Sequence, residues 1–243
     1  MTRKAYSNYL ITSDPHFEND YILDVERGNK FKTIQEHDDT ILNLYDRWMD
    51  KLDKKKNAAF FVLGDFGLTI KNKFGKNTKK ELDDFQNKVV EVFNRHSCKK
   101  IFIRGNHDND DVMSFLETFF DECYDYPIFL NKHLVLSHQP VVCTGQENFF
   151  NVSGHLHSAT LNLPNYLNAS IHVADYRPIT KARVEKCMSV MPEEDRRFLW
   201  EPYAEHYRFT QPKDDVVFND ITGDIDLSAS RLLCYYLNKQ SKE

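Results

Sequence analysis

Long apolar runs are missing from this chain. The longest clean one, Ala58 to Leu63, falls far short of the ~20 residues a transmembrane helix needs. The N-terminus also lacks the apolar stretch of a secretory signal, so no membrane partner is expected and a cytoplasmic location is. Cysteine is scarce. Five residues, an odd number with no C-x-x-C pair, argue against a disulfide framework and a thiolate metal site. Excess positive charge is absent too. A net charge of −5 and a pI near 6.1 disfavour a dedicated duplex nucleic-acid binder, while leaving room for a local basic patch. No repeat or low-complexity tract occurs. What is present is an ordinary apolar share, 41%, with 13% aromatics, which excludes a disordered or fibrous chain. At 243 residues the chain is one large domain or a domain with an appendage.

Residues Tyr9 to Thr12 read as a buried strand ending in Ser13-Asp14-Pro15-His16-Phe17, with Pro15 stopping the strand pattern. Glu18 to Lys32 is polar with scattered aromatics and reads as an irregular surface loop. Thr33-x-x-Glu36 has capping-box spacing and opens a helix carrying Ile34, Ile41, Leu44, Trp48 and Leu52 at helical intervals. Ala58 to Leu63 has the length and continuity of a central parallel strand and ends in Gly64-Asp65. Thr78-x-x-Glu81 caps a second helix, and the strand Lys100 to Arg104 then leads into Gly105-Asn106-His107-Asp108. This alternation predicts right-handed crossovers and a largely parallel sheet. A short helix follows over Asp111 to Phe120. Pro127 to Leu130 and His133 to Leu136, with Asn131-Lys132 between them, predict a hairpin. Its second strand ends in Ser137-His138. Strands at Asn148 to Val152 and Asn168 to Val173 come next, the former ending in Gly154-His155-Leu156-His157, and Thr180 caps a helix through Met188. From Met191 the periodicity weakens, so a domain over residues 1–190 and a C-terminal extension over 191–243, packed on the core, are expected.

Five strand ends thus carry candidate metal ligands: Asp14 and His16; Asp65; Asn106 and His107; His138; His155 and His157. Ligands of open parallel sheets gather outside the carboxyl ends of the strands. Each cluster alone has a bland explanation as a turn or packing residue, but five in the same context point to one site. Carboxylate, imidazole and carboxamide donors suit Mn, Fe, Zn, Ni or Mg. This set exceeds the needs of one tetrahedral ion, so two divalent ions are expected, manganese foremost. Asp65, alone on its strand end, suits the bridging carboxylate.

In this order, D-x-H, G-D, G-N-H-D, a lone H and G-H-x-H resemble the motifs of calcineurin-like metallophosphoesterases, over roughly residues 8–180. The resemblance implies an α/β fold, a four-layer α/β/β/α sandwich of two mixed β-sheets flanked by helices, here with the C-terminal extension. It implies one ion on Asp14, His16, Asp65 and His157 and the other on Asp65, Asn106, His138 and His155. It further implies hydrolysis of a phosphoester by in-line attack of a metal-bridging hydroxide. His107 is then the general acid, with Asp108 orienting its imidazole. Many relatives have Gly-His after D-x-H-F where this chain has Glu18-Asn19, a departure that concerns the substrate's surroundings.

Arg104 has two open readings, neutralising a phosphate oxygen or pairing with a local carboxylate. Lys71, Lys73, Lys76, Lys79 and Lys80 either steer an anionic substrate or form a solvated loop. His37, His96, His133, His172 and His206 are off the pattern and read as surface or packing histidines. A phosphorylated small molecule, a phosphodiester or nucleotide, is the favoured substrate, and nucleic acid is not favoured. A single-strand nuclease, with Tyr21 or Phe31 lining a groove, and a non-catalytic scaffold of the same fold are the alternatives.

Overall fold

In the computed structural model of the chain, residues 6–28, 30–68, 79–131, 133–141, 149–159, 161 and 165–189 are described, apart from the side chains of Glu26 and residues 79–83. Among them, nine strands form two sheets: β1 (Asn8–Thr12), β2 (Ala58–Val62), β3 (Lys99–Ile103), β4 (Glu122–Tyr124), β5 (Ile128–Asn131), β6 (Leu134–Ser137), β7 (Phe150–Ser153), β8 (Tyr166–Asn168) and β9 (Ile179–Thr180). The first sheet has the order β4-β3-β2-β1-β9, with β1 to β4 parallel and β9 antiparallel. The second has the order β5-β6-β7-β8, with the hairpin β5–β6 antiparallel and the rest parallel. Both sheets are mixed, and helices flank them.

The continuous apolar reading of β2 follows from burial on both faces. Phe60 and Val62 face a core built with α1 (Ile34–Asp53) and α2 (Lys79–Asn94), while Phe61 faces the space between the sheets, against a cluster that includes Leu134, Leu136, Phe150 and Val152. The hydroxyl of Thr33 accepts a hydrogen bond from the Glu36 amide (3.1 Å), so α1 starts where the capping spacing places it. Glu36 in turn accepts from the Lys32 amide rather than from Thr33 itself. From there α1 buries Ile41, Leu42, Tyr45 and Met49. Asn109 caps α3 (Asp110–Leu116), which ends earlier than expected, and turns carry the chain on to Phe120. The helix α4 (Lys181–Ser189) packs on β1 and β9, and Thr180 accepts from the Arg183 amide.

Three local expectations need correction. The strand predicted over Asn168 to Val173 is β8, and it ends at Asn168. Beyond it Ser170 bridges to Ser13 and the Ile171 amide donates to the Ser13 carbonyl, so the chain leaves the second sheet to close on the rim of the first. Apolar alternation could not show that change of partner. The segment Glu18 to Lys32 is not simply a surface loop: it contains a π-helical turn, Leu23–Arg27, and buries Ile22, Arg27 and Phe31. The short strands β4 and β9 were not expected at all. The Thr78 cap, Cys143, the lysine side chains between residues 71 and 80, and the extension over 191–243 lie outside the described residues. Among the described residues, no helix is long and apolar enough to cross a membrane, and Cys98, Cys123 and Cys187 are free thiols.

Candidate metal centre

The C-terminal ends of β1, β2 and β3 from one sheet and of β6 and β7 from the other meet at a single rim. Backbone bonds stitch them there: the Asp14 amide donates to Gly64 and the Gly154 amide to His138. Glycine is needed where they touch. A methyl group at Gly105 would collide with the Asp65 carboxylate and amide, and one at Gly154 with Ser13 Oγ and Asp14 Oδ2.

Two groups of ligand atoms converge across this rim. Asp14, His16, Asp65 and His157 each offer an atom within 4.8 Å of the others. His16 Nε2 lies 3.0 Å from His157 Nε2 and 3.6 Å from Asp65 Oδ2. Asp65, His138 and His155 form the second group. Asn106 Oδ1 completes it, 2.7 Å from His138 Nε2 and 2.9 Å from His155 Nδ1. Asp65 belongs to both groups, as a bridging carboxylate must. All seven residues expected as metal ligands are thus brought together.

The backbone is bent to achieve this. Asp14, His16, Asp65, His155 and His157 all adopt φ between 47° and 67°, a left-handed conformation costing L residues roughly 1–2 kcal/mol each. Strain concentrated on five would-be ligands marks a site held in place by its surroundings. Asp14 accepts from the His155 amide (3.0 Å) and the Ser170 hydroxyl (2.6 Å). Asn168 donates to the carbonyls of His157 (3.0 Å) and Ala159 (2.7 Å), fixing the second histidine loop. His138 Nδ1 sits 2.8 Å from the Leu63 carbonyl, which turns its Nε2 inward.

The electrostatics suit cations. Burial keeps the His16 imidazole well below its ordinary range, overriding the pull of Asp65, and burial with the neighbouring His138 pushes His155 down to about 4. Burial opposes ionisation of Asp65, yet the imidazoles of His138, His16 and His107 hold it below the usual carboxylate range. Neutral imidazoles and an ionised carboxylate are the ligand forms a divalent ion requires. His138 is the exception: against its burial, Asp65 and Asp14 draw a proton to it.

His107 stands exposed at the rim, its amide donating to Asp65 Oδ1 (2.9 Å) and its ring edge-on to His16, 5.5 Å between centroids. The Asp108 carboxylate accepts from the amides of Asp65 (2.8 Å), Gly105 (2.8 Å) and Phe66 (2.9 Å), and so ties the β2 and β3 ends together. Burial and the adjacent Asp65 push it up to about 6 although the three amides favour its charged form. Arg104 follows the second of its two readings: it pairs with Asp110 (2.7 Å) and Asp125 (3.4 Å) and donates to the Asp108 carbonyl (2.7 Å). Phe31 is buried against the rings of His37 and Tyr176 and lines no groove; Tyr21 is half-exposed.

The sequence profile described as calcineurin-like phosphoesterase matches residues 7–219. The chain belongs to this family. The match runs past residue 190, where the extension was expected to begin. No curated protein matches the chain. Among solved structures it is similar to the protein of unknown function AQ665 from Aquifex aeolicus, 23% identical, with a TM-score of 0.52 over 74% of this chain and 98% of that one. That likeness speaks for the fold. The roles of Ser170 and Asn168 in this member of the family were not legible in the sequence, because both lie in the misplaced strand. The buried partnership of Arg27 and Asp38 was not legible either, because charged residues in a polar stretch and on a helix read as solvated, while His37 is buried, within its reading as a surface or packing histidine.

Proposed function

We propose that the chain is a metal-dependent phosphoesterase that hydrolyses a small phosphodiester or nucleotide. What carries this reading is the sharing of Asp65 between two convergent ligand groups in a chain of the calcineurin-like phosphoesterase family. The donor set fits two divalent ions, manganese foremost: one on Asp14, His16, Asp65 and His157, the other on Asp65, Asn106, His138 and His155. Two such ions supply Lewis acidity, drawing charge from phosphoryl oxygens and acidifying water. The protein's own groups do the rest. His107, exposed and anchored through its amide to Asp65, holds a proton at a ring nitrogen for the leaving-group oxygen. Asp108 keeps Asp65 and the His107 loop in register.

Substrate size is inferred from the surroundings. Asn106 and His107 are open to solvent. Beside Glu18 a cavity of about 280 Å³ is lined with Asp38, Asp39, Asp84, Phe85 and Lys88. Its acidic walls disfavour a long polyanion, and its volume suits part of a small molecule. The complete ligand set supports catalysis over a scaffold role. A manganese-supplemented screen of phosphomonoesters and phosphodiesters, with elemental analysis of the same samples, tests the reading. Turnover on a diester with metal bound is expected; no turnover on any ester despite bound metal would leave the scaffold.

A further inference from the structure

The turn that carries Asp14 and His16 has three left-handed residues in alternation, Asp14 (φ 57°), His16 (φ 50°) and Glu18 (φ 61°), none of them glycine. A single buried network grips it from behind. Arg27, 1% exposed, donates through Nη2 to the Asp14 carbonyl (2.8 Å) and through Nη1 to the Pro15 carbonyl (2.9 Å). The same Nη1 lies 2.8 Å from His37 Nε2. Because a guanidinium only donates, His37 Nε2 accepts and its proton sits on Nδ1, 2.7 Å from Asp38 Oδ1. Asp38 Oδ2 then accepts from the Glu18 amide (2.9 Å). Two carbonyls at the start of the turn and one amide at its end are therefore fixed to one chain of groups, Arg27–His37–Asp38.

We propose that Arg27 is a positioning residue for the ligands Asp14 and His16, holding their strained turn through its carbonyls and, by way of His37 and Asp38, through Glu18. The inference rests on the metal-centre reading above. The guanidinium binds backbone acceptors of Asp14 and Pro15, so it leaves both ligand side chains free to face the rim. The π-helical turn Leu23–Arg27 brings it there. The planar fork of arginine reaches two successive carbonyls and an imidazole at once, a geometry a lysine ammonium cannot reproduce.

The prediction concerns one half of the centre. The group formed by Asp14, His16, Asp65 and His157 depends on this turn, whereas Asn106, His138 and His155 are held from β3, β6 and β7. The test is calorimetric titration of the full chain with Mn²⁺, alongside thermal melting, for the wild type, Arg27→Gln, Arg27→Lys and Asp38→Asn. The wild type is expected to bind two ions. Folded Arg27→Gln should retain one ion and bind the other at least about tenfold more weakly, with kcat falling and recovering as Mn²⁺ is raised. Arg27→Lys should fall between. Asp38→Asn, which keeps the side-chain size and an acceptor for the Glu18 amide, should weaken the same ion by less. Folded variants that bind both ions with wild-type affinity would overturn the proposal. So would failure of every variant to melt cooperatively, which would assign the network to core stability alone. A wild type that binds no Mn²⁺ would remove the metal-centre reading and the inference with it, a failure visible without any variant.

Discussion

At the scale of single residues, the account turns on roles that neighbours assign. Asp65 is shared by both ligand groups, so Asp65→Asn should weaken binding of both ions. Loss of an outer partner costs roughly 10–100-fold in metal affinity, and a shared ligand should cost more, which metal titration would show. His107→Ala should leave the metal content intact and lower kcat by about 10²–10⁴ on esters with poor leaving groups. Unchanged turnover on such an ester would remove the acid assignment. The pH dependence follows from the imidazoles. Asp65 and Asp14 raise His138 against its burial, so a proton competes with an ion there. Mn²⁺ affinity at the Asn106, His138 and His155 group should begin to fall while pH is still above the ordinary imidazole range and go on falling below it, about tenfold per unit for one competing proton. His16 is driven down and should not compete; titrations at a series of pH values would separate the two ions. All seven would-be ligands were legible in the sequence because each follows a strand end. The bonds that Asp108 and Arg27 make were not legible, because most of their partners are backbone amides and carbonyls, which side-chain identity does not reveal.

At the scale of elements, the ligand loops are anchored by aromatic rings. Phe17 follows His16 and Phe66 follows Asp65; both are fully buried, and their rings lie 5.1 Å apart. Phe66 also meets Phe93, Phe102, Phe119 and Phe120. Phe66→Ala should destabilise the fold by about 3–5 kcal/mol, measured by denaturant unfolding, and should weaken Mn²⁺ binding as the β2 end loosens. Thr33→Ala removes the α1 cap and should cost about 1 kcal/mol, with a much smaller loss of Mn²⁺ affinity than Phe66→Ala, because the Thr33 hydroxyl serves the Glu36 amide while His37 and Asp38, which hold the ligand turn, keep their own bonds. The contrast separates stability from site geometry. Long, strongly patterned elements such as α1 and β2 could be placed from sequence within a residue or so. The two-residue β9, the three-residue β4 and the crossing at Ser170 could not, because tertiary pairing rather than local pattern creates them.

At the scale of the whole molecule, two mixed sheets turn their strand ends to one rim, and the family match over residues 7–219 agrees with the motif order. Strand–helix alternation alone predicted only a parallel sheet. The second sheet was legible through the resemblance, because its strands are only three or four residues long. Just past the ligand turn, Glu18 takes a left-handed conformation and lines a cavity together with Asp38, Asp39 and Asp84. The most direct test of the central claim is electron paramagnetic resonance of the Mn²⁺-loaded protein, with hydrolysis of a chromogenic phosphodiester followed on the same sample. The account predicts two ions per chain with an exchange-coupled signature, and the loss of both coupling and turnover in Asp65→Asn. Full turnover with one uncoupled ion, or with none after chelation, would contradict it.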